Sequence, residues 1–89
     1  MTCTLTFSAI ARRSLKKLPH DARRRLDGAF GEMQRDPLSG DMVVLKDYPV
    51  AYRRRVGPYR ILFDVDPATR SVQAQEIDRR ASTTYRKRR

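Results

Sequence analysis

Residues 50–77 read VAYRRRVGPYRILFDVDPATRSVQAQEI, and the fold turns on them. From Val50 the chain follows a period of two through VAYRRRV (50–56), YRILFDVD (59–66) and SVQAQEI (71–77). Gly57 and Pro58 separate the first run from the second, and Pro67, Ala68, Thr69 and Arg70 separate the second from the third. Both breaks carry turn residues between β-rich runs, so the segment is predicted to be a three-stranded antiparallel meander. On its central strand Tyr59, Ile61, Phe63 and Val65 line one face, while Arg60, Leu62 and Asp64 line the other. The apolar face must be covered, and the residues before the meander supply the cover.

Working toward the N-terminus, Asp21 is placed to open a helix in which Ala22, Leu26, Ala29, Phe30 and Met33 recur on one side. Pro37 stops it, and DPLSGD (36–41) supplies turn residues. A shorter helix precedes it. Ser8 is its expected N-cap, Ile10, Ala11, Leu15 and Leu18 share one face, and Pro19 ends it. The two helices are expected to form an antiparallel pair with a very short link. TCTLTF (2–7) alternates, with Cys3, Leu5 and Phe7 on one side and threonines on the other, and reads as a strand. Residues 37–49 read as a loop crossing the body, because MVVLKDY (42–48) is too short and isolated to assign. The last segment, ASTTYRKRR (81–89), reads as one helical turn followed by a basic tail. The predicted order is β-α-α-β-β-β. It describes one α+β domain over residues 1–89, a small antiparallel-dominated sheet with two N-terminal helices on one face.

Composition narrows the functional classes. The 89 residues carry 20 Lys plus Arg against 10 Asp plus Glu, a net charge of +10, with one Cys and one His. An internal disulfide is ruled out, and no cluster of thiols and imidazoles with zinc spacing exists. There is no Gly-rich phosphate loop, no G-x-S-x-G and no apolar run of membrane-spanning length, so neither cofactor, metal nor membrane is expected. The chain is expected to be soluble and cytoplasmic. A strongly positive field on so small a body attracts polyanions, and nucleic acid is the commonest of these.

The basic residues fall into three groups: Arg12, Arg13, Lys16, Lys17, Arg23, Arg24 and Arg25 on the helices, Arg53, Arg54, Arg55 and Arg60 on the hairpin, and Arg79, Arg80, Arg86, Lys87, Arg88 and Arg89 at the C-terminal end. The helical group falls opposite the apolar stripe, as on any solvated face. Alternation restricts the hairpin group more tightly. Arg53 and Arg55 share one side of their strand, and Arg60 projects from the neighbouring strand toward the same face, exposed and away from Ile61 and Phe63. Like charges facing each other across strands are destabilising, so the grouping is best tolerated with an anion among them. Arg54 faces the other way and needs a carboxylate whose identity the sequence leaves open.

Cleaving RNA requires a base for the 2′-hydroxyl proton, cations for the charge growing on the phosphate oxygens, and an acid at the leaving oxygen. The usual histidine pair is absent, since the one histidine, His20, reads as an exposed linker residue beside Pro19. Chemistry on a phosphodiester would therefore fall to Arg and Tyr, in a site completed by the substrate or its carrier. Arg is a poor proton acceptor near neutrality, so turnover on naked RNA should be feeble. Cys3 reads as a structural thiol on the apolar side of its strand. Asp64, Asp66, Glu76 and Asp78 read as ion-pairing or turn residues, not as a metal site.

ARRSLKKLP (11–19), FGEMQRDPLSG (30–40), YRRRVGPYRILFDVD (52–66) and IDRRASTTYR (77–86) stand in an order that resembles the RelE/ParE superfamily of bacterial toxins from type II toxin–antitoxin pairs. The most specific part is the G-x-YR-I/L-L stretch followed by an RR…YR ending. Similarity to the RelE branch implies a ribosome-dependent endoribonuclease that cuts mRNA in the decoding site, with an antitoxin as cognate partner. It implies a catalytic patch of Arg53 and Arg55, of Arg60, of Arg79 or Arg80, and of Tyr85. Beside that patch, the basic residues Arg54, Arg86, Lys87, Arg88 and Arg89 are expected to be further RNA contacts. Where well-known RelE members carry Lys on the hairpin this chain has Arg, which makes proton abstraction there harder. The ParE branch shares the fold and inhibits DNA gyrase by binding. It is the rival reading, with an inactive nucleic-acid-binding domain as a third.

Overall fold

The computed structural model describes residues 2–79. Their elements are β1 (Thr4–Phe7), α1 (Ala9–Lys16), α2 (His20–Arg35), β2 (Met42–Val44), β3 (Tyr52–Val56), β4 (Tyr59–Asp66) and β5 (Ser71–Arg79). The five strands form one sheet in the order β1-β5-β4-β3-β2. The predicted meander is there: β3 pairs antiparallel with β4, and β4 with β5. β1 pairs parallel to β5, with Leu5 opposite Val72 and Phe7 opposite Ala74, so the sheet is mixed.

Ser8 caps α1 as predicted. Its Oγ accepts from the Ala11 amide at 3.0 Å and also donates to the Gln75 carbonyl at 2.6 Å, fastening the helix start to β5. Lys17, Leu18 and Pro19 link the helices, and α2 opens on His20 behind Pro19, one residue before the expected start at Asp21. His20 is thus a first-turn helical residue, although exposed as expected.

Ala11, Leu15, Leu26, Ala29, Phe30 and Met33 from the helices meet Tyr59, Ile61, Phe63, Val72, Ala74 and Ile77 on one face of the sheet. Burying each large apolar side chain contributes about 1.5–3 kcal/mol, and Leu26, Met33, Ile61, Phe63 and Val72 are fully enclosed. Phe7 meets Phe30 edge-on at 5.0 Å, and Tyr52 stacks on Phe63 at 5.4 Å. The three-residue step from Ala74 to Ile77 breaks the alternation of β5. Leu62 pairs with Glu76 and Phe63 with Ala74, so Gln75 is the extra residue of a bulge. The bulge returns Ile77 to the core and turns Glu76 and Asp78 onto the helix-free face.

One expectation is overturned. Residues 37–49 are not all loop, because Met42–Val44 pair antiparallel with Arg54, Arg53 and Tyr52 and add an edge strand. Three residues are too few to show a period, and the pairing is set by β3 and not by β2's own composition. The expected helical turn and tail over residues 81–89 lie outside the described residues.

Candidate active site

The helix-free face of β3 and β4 carries the arginines that alternation placed there. Arg55 stands directly opposite Arg60 across the β3–β4 ladder, and Arg53 stands opposite Leu62 on the same face. Gly57, at φ +59, takes the first loop position of the two-residue turn that brings the strands together. The hairpin thus fixes a pair of like charges at backbone-pair separation.

Two carboxylates offset that repulsion. Asp78, opposite Arg60 on β5, accepts from Arg60 Nε at 3.1 Å and from Nη2 at 3.3 Å, a two-pronged contact that sets the plane of the guanidinium. Arg60 is consequently only 6% exposed, a correction to its expected exposure: ion pairing lets an arginine be enclosed where an unpaired one would stay in water. Asp41, in the turn before β2, lies 3.8 Å from Arg55 Nε, and its carbonyl accepts from the Arg55 amide at 2.8 Å. Each arginine of the opposed pair has its own counter-ion. The sequence allotted ion pairing to Asp78 but passed over Asp41, since a residue 14 places from Arg55 in an unassigned loop carries no periodic signal.

Arg54 points to the other face, as predicted, and the structure supplies its partner. Its Nη2 donates to Glu32 Oε1 on α2, and its Nη1 donates to the carbonyl and hydroxyl of Ser39 at 3.3 and 3.2 Å. The guanidinium lies against Gly40, where a Cβ would stand 2.6 Å from Cζ and where φ is +78. Arg54 is enclosed on the helix-bearing side between Glu32, Ser39 and Gly40, so its expected role as an RNA contact gives way to a structural one: it clasps α2 and the turn before β2 to β3.

Arg79 pairs with Tyr59, whose ring lies in the core, so the register sets Arg79 on the helix-bearing face, opposite to Arg55 and Arg60. Arg80, Tyr85, Arg86, Lys87, Arg88 and Arg89 lie outside the described residues.

The far end of the helix-free face has the opposite charge. A cleft of about 280 Å³ there is lined by Thr6, Asp64, Val65, Asp66, Ser71 and Gln73. Its carboxylates serve the fold: Asp64 accepts from the Ala51 amide and Gln75 Nε2, and Asp66 accepts from the Ala68 amide in the β4–β5 turn. The face therefore runs from arginine at the hairpin end to aspartate at the other, and an extended polyanion lying along it would be held at the hairpin end.

No family model matches the chain. Toxin RelG of Mycobacterium tuberculosis is 32% identical to it over 82 residues, covering 91% of this chain and 94% of the toxin. Among solved structures, the RelBE2 toxin–antitoxin complex of M. tuberculosis contains a chain superimposing with a TM-score of 0.77 at 31% identity, over 90% of this chain and all of that one. The RelE–RelB complex of the archaeon Pyrococcus horikoshii gives 0.81 at 21% identity, covering 92% and 99%, a likeness of fold. With the predicted sheet and helices in place, and with RelG similar over nearly its whole length, the chain belongs to the RelE superfamily of type II toxin–antitoxin toxins.

Proposed function

We propose that this toxin is a ribosome-dependent endoribonuclease that cuts mRNA in the decoding site. The observation that carries the reading is the opposed pair Arg55 and Arg60, with Arg53 beside them, on the sheet face that the helices leave uncovered. In the reaction the 2′-oxygen attacks phosphorus and the bond from phosphorus to the 5′-oxygen breaks, leaving a cyclic phosphate and a 5′-hydroxyl. One proton leaves the attacking hydroxyl and one reaches the departing oxygen. Arg60, oriented by Asp78, holds the non-bridging oxygens as charge grows on them. Arg53 and Arg55 flank the attacking hydroxyl. Of the two candidates for the departing oxygen, Arg79 stands on the wrong face, which favours Arg80. Tyr85 stacks on a base and orients the nucleotide, a contact worth about 1–3 kcal/mol.

Arg serves poorly as a base, so the ribosome completes the site, and the toxin acts in the cytoplasm where mRNA is read. A cognate antitoxin with an acidic segment keeps it silent by covering the basic hairpin, a reading supported by the RelB-bound complexes among its structural relatives. The test is product analysis. Purified toxin added to translating ribosomes should yield cut mRNA, with Arg60→Ala losing well over tenfold (order of magnitude) in rate. Vigorous cutting of naked RNA, or intact mRNA with accumulated gyrase–DNA breaks, overturns the proposal.

A further inference from the structure

The hairpin turn is basic on both of its sides, and only one side belongs to the patch above. Arg25 of α2 lies over the turn: its Nη1 comes within 2.5 Å of where a Cβ at Gly57 would stand. Arg25 follows Ala22 by three and precedes Ala29 by four, so on the solvated surface of α2 it stands at the margin of the buried stripe and not opposite it. Among the described residues it has no hydrogen bond or ion pair, although it is exposed and held against a fixed turn. Arg79, also exposed, joins it on the helix-bearing side, one strand away opposite Tyr59. Four elements thus bring an arginine to one end of the sheet: α2, β3, β4 and β5.

We infer that Arg25, with Arg79, forms a second phosphate site, which binds the RNA strand where it passes over the hairpin turn from the Arg55–Arg60 face. This rests on the reading of the chain as an RNA-acting toxin. A strand crossing the turn meets one guanidinium pair on each side, an arrangement that follows a sugar–phosphate backbone without reading its sequence. A protein partner fits less well. Among the described residues the exposed large apolar side chains are Ile10, Leu38, Val43, Val44 and Tyr48, and none stands at Val56–Tyr59, so the turn offers charge without the apolar anchor on which protein interfaces depend.

The experiment is a salt titration of binding to a fluorescent single-stranded RNA of about twelve nucleotides, followed by anisotropy. Arg25→Gln should weaken binding several-fold and lower the slope of log K against log salt by about 0.7, the share of one phosphate on a single strand. Arg25→Lys should restore the slope, and a dinucleotide, too short to span both sites, should not distinguish Arg25→Gln from the parent. Equal melting temperatures exclude misfolding. An unchanged slope overturns the inference. So does a slope that changes only on ribosomes, which would assign Arg25 to ribosomal RNA, or a loss confined to antitoxin binding, which would assign it to the protein partner. Since binding is read without cleavage, a lowered slope in a protein that cuts no mRNA sinks the nuclease reading and leaves the second site standing.

Discussion

At the scale of single residues, Arg60 has a structural duty, and the proposed mechanism gives it a second that its sequence position does not separate from the first. Its guanidinium is enclosed and paired to Asp78, which is itself about one-third exposed. Arg60→Ala should therefore cost stability as well as cleavage, about 1–2 kcal/mol in chemical denaturation once solvent access to Asp78 discounts the buried-pair penalty. Arg60→Lys keeps a cation for Asp78 and separates the two effects: stability should largely return while cleavage stays low, because an ammonium cannot offer the planar fork. Arg54 sits deeper in the fold. Glu32→Ala leaves a buried guanidinium with only Ser39 as partner, and should destabilise by about 1–3 kcal/mol, measured by urea unfolding. Alternation made the faces of Arg53, Arg54, Arg55 and Arg60 legible in the sequence. It could not supply their partners, because Glu32, Asp41 and Asp78 are brought near by strand register and loop path, not by spacing along the chain.

Elements obey the same division between local signal and tertiary assignment. Both helices and the three strands of the meander announce themselves through periodicity, caps and prolines. The edge strand β2 and the bulge at Gln75 do not. A strict period of two over SVQAQEI groups Glu76 with Val72 and Ala74, and only pairing with β4 reveals that Gln75 is the extra residue. The glycines fixing the turns carry a sharper expectation. Gly57→Ala and Gly40→Ala each impose a side chain on a left-handed backbone and drive a Cβ into an arginine, Arg25 in one case and Arg54 in the other. Each should lose at least about 1–2 kcal/mol in thermal unfolding. The two then differ: Arg25 is exposed and can swing away, while Arg54 cannot, so Gly40→Ala should be the costlier.

Across the whole molecule, a net charge of +10 divides unevenly, with arginine at the hairpin end of the open face and aspartate at the other. On the proposed mechanism, in which Arg55 and Arg60 hold the phosphate and the tail charges only add attraction, removing Arg86 through Arg89 should flatten the salt dependence of RNA binding in anisotropy titrations without abolishing cleavage. The fold class was legible in the sequence, and so was the face bearing the candidate site. The parallel pairing of β1 with β5 was not, since it leaves no mark in either strand. That pairing has a consequence in time. The Ser8 hydroxyl meets the Gln75 carbonyl across 67 positions of chain, and among the described residues β1 has no neighbour in the sheet except β5. A nascent chain emerges from its N-terminus at roughly 5–20 residues per second, so β1 must wait, unpaired, until nearly everything after it has been synthesised. Such distant pairing slows folding because the loop must close before any contact rewards it. The toxin acquires its shape late, and a chain whose synthesis stops before Ser71 lacks both the strand that pairs with β1 and the Asp78 carboxylate that orients Arg60.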